Sequence, residues 1–245
     1  IDCPLSEVLA RPEVASGECA GVLNADFLYA NHNRLITLLD NHDTDARFIT
    51  HLVRRYGDDR NTILRCYKLA LTMLFCLRGI PQIYYGDEIG LEGGCDPDNR
   101  RDMPWHIMDG PAGIEGPTSD HPFERAVFQH VKRLVCMQKN DDALRFGASI
   151  TLYSDRYVFV FIREFRDVAA IICMNNGQED MPVPLEVQLD RNPHLSHRLK
   201  SLLEGRLLED SLGDAKSIRI LEGRFQLQLS GKCSAVYQMK ADICA

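Results

Sequence analysis

The sequence predicts an α/β unit over residues 1–145 followed by an all-β unit over residues 146–245. Two observations carry this reading. Two short apolar runs, Leu35-Ile36-Thr37-Leu38-Leu39 and Ile80-Pro81-Gln82-Ile83-Tyr84-Tyr85, flank a long helical pattern, which is the order of a βαβ unit. From Ala148 onward the texture changes to short β-branched and aromatic runs divided by turn residues, the spacing of an antiparallel sandwich.

Residues 1 to 34, punctuated by Pro4, Pro12 and Gly17, read as two short helices with loops. Leu35 to Leu39 is nearly continuous in apolar character, as a strand covered on both faces would be, and it ends on Asp40-Asn41-His42-Asp43. A helix is expected from about 45 to 56. A second is expected from Asn61 to Arg78, with Asp58-Asp59 near its N-cap and Gly79 and Pro81 closing it. Ile63, Leu64, Tyr67, Leu71, Leu74 and Phe75 keep helical spacing along it. The next strand, Ile80 to Tyr85, stops at Gly86 and hands over to Asp87 and Glu88. Gly90 to Asp120 is a long polar loop, a type that is usually functional in a compact domain. A helix resumes near Pro122 and ends near Asn140, with Phe123, Val127, Val131, Leu134 and Val135 on one face. Strands then follow at Ser149–Tyr153, Tyr157–Arg163, Val168–Met174, Ser217–Leu221, Arg224–Leu229 and Ala235–Met239, with Asn175-Asn176-Gly177 and Glu222-Gly223 as turns.

With 245 residues, 45% hydrophobic and 26% charged, the chain has the composition of a folded globular protein. The formal charge of −7 and the lack of a Lys/Arg stripe oppose nucleic-acid binding, and a neutral polar ligand is the easier fit. Leu69 to Leu77, the most apolar run, is far short of the roughly 20 residues that span a membrane. The 9 cysteines show no CxxC spacing, and several sit in apolar stretches where a reduced thiol packs as a small hydrophobe, so a reducing compartment, the cytoplasm, is expected. No targeting peptide is visible at Ile1. No histidine spacing points to a metal, and neither a metal nor a cofactor is expected.

The chemistry concentrates in three blocks: Leu38-Leu39-Asp40-Asn41-His42-Asp43-Thr44, then Gly79-Ile80-Pro81-Gln82-Ile83-Tyr84-Tyr85-Gly86-Asp87-Glu88, then Asp96-Pro97-Asp98-Asn99-Arg100-Arg101-Asp102-Met103-Pro104-Trp105. In this order and spacing they resemble the last conserved strand, the eighth strand and the following loop of the α-amylase family of glycoside hydrolases. The likeness is greatest to the branch of cyclomaltodextrinases, neopullulanases and oligosaccharide α-glucosidases. The resemblance is tight over Leu35 to Trp105, and Tyr157 to Asn175 is similar to the opening of the family's terminal domain. It implies the C-terminal part of a TIM (β/α)8 barrel followed by a β-sandwich, with active-site residues on the loops after the strands.

Carried over by position, the resemblance makes His42 and Asp43 the pair that hydrogen-bonds the hydroxyls of the sugar ring being cleaved, with Asp43 the carboxylate that stabilises the transition state. A carboxylate accepts two such bonds and an imidazole donates one, and they raise the rate only as far as they tighten when the ring flattens. The alternative is an Asp that caps the next helix beside a satisfied loop histidine. Asp96 and Arg100 match positions that reach sugar units further from the cleavage point. An ion pair bracing the loop is the competing reading. Arg47 is either a further substrate contact or a solvated helix charge. Asp87 and Glu88 are expected to hold the loop in place, Trp105 to be a packing anchor, and Tyr84 and Tyr85 to be core.

Retaining cleavage needs two further carboxylates about 5 to 5.5 Å apart. The family places them on strands upstream of the Asn-His-Asp strand, and no Gly-Phe-Arg-x-Asp-type segment is present. Glu18 lies too close in sequence to Asp43 to occupy the acid/base strand. The resemblance therefore implies a piece beginning near the sixth barrel helix of a parent enzyme acting on α-glucans or maltooligosaccharides, and inactive alone. Exposed barrel edges imply self-association. The other readings are a non-catalytic interaction scaffold of the same family, which the intact Asn41-His42-Asp43 and Asp-Pro-Asp-Asn-Arg runs oppose, and a stand-alone sugar-binding module, which the incomplete barrel piece opposes.

Overall fold

The computed structural model describes residues 16–110 and 115–239. They form two compact units, one drawn from 34–75 and 79–136, the other from 16–33, 76–78 and 137–239. A single cut near residue 145 therefore understates the exchange of segments, because the helix α1, Ser16–Asn24, belongs to the second unit and touches its sheet. Two helices are expected in residues 1–34, of which residues 1–15 lie outside the described residues.

In the first unit, β1 (Ile36–Thr37) and β2 (Ile80–Pro81) pair in parallel, Ile36 with Ile80 and Thr37 with Pro81. Between them run α2 (Phe48–Tyr56) and α3 (Arg60–Cys76), so the βαβ order holds with a second, shorter helix inserted. Both strands are shorter than expected. Pro81 has no N–H to give the ladder, and pairing ends with the Gln82 N–H to the Thr37 carbonyl at 2.8 Å. Tyr84 and Tyr85 fall beyond the strand, and Tyr85 is 40% exposed, which corrects their assignment to the core.

Helix α3 opens with the Asp59 carboxylate accepting the Thr62 N–H at 3.0 Å, as the acidic pair in the sequence predicted. From Leu69 to Leu77 every side chain is buried, which is why this run is apolar all round. Gly79 ends the segment at φ +106°, and a Cβ there would stand 2.7 Å from the Leu35 carbonyl oxygen. Only glycine lets the chain turn back so closely that the Ile80 N–H reaches that same oxygen at 2.8 Å. The loop beyond carries a small antiparallel pair, β3 (Met108–Asp109) with β4 (Gly116–Pro117), before α4, Pro122–Asn140. On α4 the ring of His130 is buried, 3.0 Å from the Thr72 hydroxyl and 3.1 Å from the Lys68 carbonyl.

In the second unit, α5 (Asp142–Phe146) is capped by the Asp141 carboxylate on the Ala143 and Leu144 N–H groups. A four-stranded antiparallel sheet follows in the order β12-β7-β6-β5, built from β5 (Ala148–Ser154), β6 (Val158–Phe165), β7 (Val168–Asn175) and β12 (Cys233–Met239). A separate ladder pairs β8 (Leu185–Gln188) with β11 (Arg224–Leu227), and a third pairs β9 (Leu207–Leu208) with β10 (Ile218–Arg219). Val160, Ile171, Cys173 and Tyr237 share one apolar core with Val187 and Phe225 from the β8–β11 ladder. Glu222 and Gly223 both take positive φ, +51° and +68°, the backbone of a two-residue hairpin turn. Strands β3, β4, β8 and β9 and the helices α5 and α6, the latter His197–Leu203, are additions to the expected elements. Leu185 to Gln188 alternates only briefly after Pro182 and Pro184, too little to stand out by periodicity.

Candidate functional site

The site lies in the first unit, where β1 and β2 hand over to their loops. Asn41 begins a tight turn, its side-chain oxygen accepting the Asp43 N–H at 2.8 Å, while the Thr44 hydroxyl donates to the Asn41 carbonyl at 2.8 Å. This turn throws His42 and Asp43 outward. Their side chains are 53% and 74% exposed, with the imidazole Nε2 3.4 Å from an Asp43 oxygen.

Neither residue caps α2. The capping bond comes from Asp40, whose Oδ2 accepts the Phe48 N–H at 2.6 Å from a fully buried position. The competing capping role proposed for Asp43 thus belongs to its neighbour three residues earlier, which leaves Asp43 free to face solvent. Asp87 is buried beside Asp40. Burial is the leading cause that pushes both carboxyls up from the usual range, and the negative charge of Asp40 lifts Asp87 further. Asp87 interacts directly with the Asp40 carboxyl. It also accepts the Tyr84 N–H at 2.9 Å, while Glu88 accepts the Gly86 N–H at 2.7 Å, so both carboxyls brace the turn as expected.

Arg47 requires a correction. It is neither a solvated helix charge nor open to a ligand, since it has 0% exposure. Its Nε donates to the Asn99 carbonyl at 3.1 Å and its Nη1 to the Tyr85 carbonyl at 2.7 Å. Nη1 also lies 3.8 Å from Asp87, and the guanidinium carbon sits 4.4 Å and 4.9 Å from the ring centres of Tyr84 and Tyr85.

The long loop comes back to the turn through Asn99, which sequence reasoning passed over within Asp-Pro-Asp-Asn-Arg. Its buried amide donates to the carbonyls of His42, at 3.1 Å, and Thr44, at 3.0 Å. Gly93 permits this approach, because a Cβ there would lie 2.7 Å from the Asp98 carbonyl oxygen and 2.9 Å from the Asn99 Cα. Arg100 and Asp96 form an exposed pair at 2.6 Å, and Arg100 also reaches the His42 carbonyl at 3.3 Å. The hydrogen bond that Arg100 donates to the Asp96 carboxylate is the first cause that raises the Arg100 pKa. Loop bracing is thus present, and it still leaves 47% of Arg100 and 65% of Asp96 open. Trp105 is 61% exposed, which overturns its reading as a packing anchor.

The result is a surface bearing two carboxylates, an imidazole, a guanidinium and the tilted rings of His42 and Tyr84, 6.4 Å apart. Such a set accepts and donates hydrogen bonds to a neutral polyhydroxylated ligand. Among the described residues, no group of three or more His, Cys, Asp or Glu is arranged to hold a metal ion, and no helix is long and apolar enough to cross a membrane.

The family model for the alpha-amylase catalytic domain matches residues 21–147. A cyclomaltodextrinase of Thermoanaerobacter pseudethanolicus is 32% identical over 145 residues, covering 59% of this chain and 21% of that protein. A cyclomaltodextrin glucanotransferase of a Bacillus species is 27% identical over 219 residues, covering 89% of this chain and 26% of that protein. The solved α-amylase of Geobacillus thermoleovorans, complexed with acarbose, superposes with a TM-score of 0.76 at 27% identity, covering 99% of this chain and 48% of that one. The chain thus spans a fifth to a quarter of these curated relatives and about half of the solved chain.

Proposed function

The chain belongs to the α-amylase family of glycoside hydrolases, and on that premise we propose that it carries the sugar-gripping side of a site that cleaves or transfers α-glucosidic bonds in α-glucans or maltooligosaccharides. The observation that carries this is the contrast at the Asn41–Asp43 turn: a backbone clamped by Asn41, Thr44 and Asn99 presents two exposed side chains, His42 and Asp43, that nothing structural requires. Asp43 is the carboxylate that stabilises the flattened, positively charged ring, and His42 donates to a neighbouring hydroxyl. Asp96 and Arg100 bind a sugar unit further along. Arg47 supports the site from beneath without touching substrate.

The mechanism is retaining, with nucleophile and acid/base supplied by segments of the whole protein outside this chain, so the chain alone does not cleave. The all-β unit is a sandwich that completes the family architecture, and the compartment is the reducing cytoplasm. Self-association belongs to the same reading. It is supported by the two-stranded parallel pair, whose outer edges lack strand partners among the described residues and whose Ile80 is 51% exposed.

The test is Asp43→Asn in the whole protein, assayed on maltodextrin and cyclodextrin. A loss of roughly a hundredfold or more in kcat with KM little changed is expected. A variant that keeps its kcat, or a whole protein that leaves both substrates untouched, overturns the proposal.

A further inference from the structure

We propose that Arg47 is a positioning residue for His42 and Asp43, locking three separate segments into the one conformation that presents them. This rests on the reading of that pair as the sugar grip. The three segments are the turn at 40–44, the turn at 84–87 and the loop at 93–100; Arg47 bonds to the second and third and reaches the first through Asn99.

The first link is a relay. The guanidinium Nε holds the Asn99 carbonyl at 3.1 Å, and the Asn99 amide holds the carbonyls on either side of Asp43, those of His42 and Thr44. The Arg47 N–H itself donates to the Gly93 carbonyl at 2.9 Å, fixing the start of the loop that carries Asn99. The second link is lateral. The Arg47 guanidinium carbon sits over Tyr84, 4.4 Å from its ring centre, and Tyr84 in turn neighbours the His42 ring. His42 is therefore braced through its backbone by one route and beside its ring by another, and both routes start at one guanidinium.

The buried setting explains why the residue is arginine. A planar fork serves two carbonyls in different directions while its face covers an aromatic ring, and a lysine offers one point charge on a flexible stem. The cation also balances the buried Asp40 and Asp87 pair, with Asp87 3.8 Å away. Removing the charge altogether would leave those carboxyls without a counterion, so a neutral substitution risks unfolding the unit for reasons unrelated to position.

The experiment uses the 245-residue chain, isotope-labelled, with Arg47→Lys as the main variant and Asn99→Ser as the second. The latter breaks the relay without touching the buried charge. In Arg47→Lys the fold should persist by circular dichroism, while the His42 ring resonances move and the Asn99 side-chain amide protons lose protection from exchange. Asn99→Ser should move the same His42 resonances, and the double variant should add little more. Maltotriose affinity, followed by titration, should fall about tenfold in each, the size of one well-aimed hydrogen bond. Arg60→Lys, at the exposed Arg60–Glu92 pair, serves as the control and should leave His42 unmoved.

If His42 is unchanged in Arg47→Lys, or in Asn99→Ser where Arg47→Lys fails to fold, the positioning role is wrong. If the resonances respond but maltotriose binds neither the parent chain nor the variants, positioning stands and the sugar-grip reading fails in its place.

Discussion

His130 shows how far burial moves a single residue. Held between α3 and α4, its ring is lowered from 6.5 to about 4, first by burial and then by the nearby charges of Lys68 and Arg133. The unfolded chain therefore takes up a proton between those two values that the folded chain refuses. Stability is fully present above pH 6.5 and is lost as pH falls toward 4, by about 3 kcal/mol at ~1.4 kcal/mol per pH unit. His130→Gln should flatten urea-denaturation stability across that window, and an unchanged slope would place the acid sensitivity elsewhere. The Asp87 carboxyl works in the opposite direction. Its folded pKa lies above the ordinary 3.8, so its contribution is present below that value and is lost as pH rises through the folded one. At this scale the exposed His42 and Asp43 are legible in sequence because their neighbours are chemically specific. Arg47 was misread because an arginine beside an amphipathic helix looks the same in sequence whether it faces water or the carbonyls of Tyr85 and Asn99.

Elements are shorter and more sharply ended than periodicity predicts. Helix α2 begins at Phe48 rather than near 45, because the residues before it are held in the Asn41–Thr44 turn and its first N–H is taken by Asp40. The parallel pair β1–β2 depends on Gly79, whose positive φ and 2.7 Å clearance to the Leu35 carbonyl exclude a side chain. Gly79→Ala should therefore cost about 2 kcal/mol or more in chemical denaturation, through strain and displacement of β2. A near-neutral result would mean that the strand pair tolerates a shift of its register. Hairpin turns such as Glu222-Gly223 were readable because their backbone demands a narrow set of residues. Strand β8 and helix α6 were not, since four and seven residues are too few to establish a period.

At the scale of the whole molecule, the two units divide the chain unevenly, with α1 joining the second. A contact between a segment before residue 34 and a sheet beyond residue 148 is non-local, and no local pattern announces it. The β1–β2 edges, which lack strand partners among the described residues, bear on assembly. Light scattering of the chain at micromolar concentration should report a species larger than a monomer, and a clean monomer would remove self-association from the proposal.

Adjacent residues with distinct chemistry were enough for the order β1, α2, α3, β2, for the helix from Pro122 and the strands β5 to β7, for the turns and for the family resemblance carried by the Asn-His-Asp and Asp-Pro-Asp-Asn-Arg runs. Only the tertiary structure decided which charges are buried and what they hold. Asp40 as the cap, Asn99 as the clamp on His42, Arg47 beneath Tyr84 and the outward-facing Trp105 all follow from neighbours far apart in the chain. Burial is the sum of those neighbours, and no single stretch of sequence contains it.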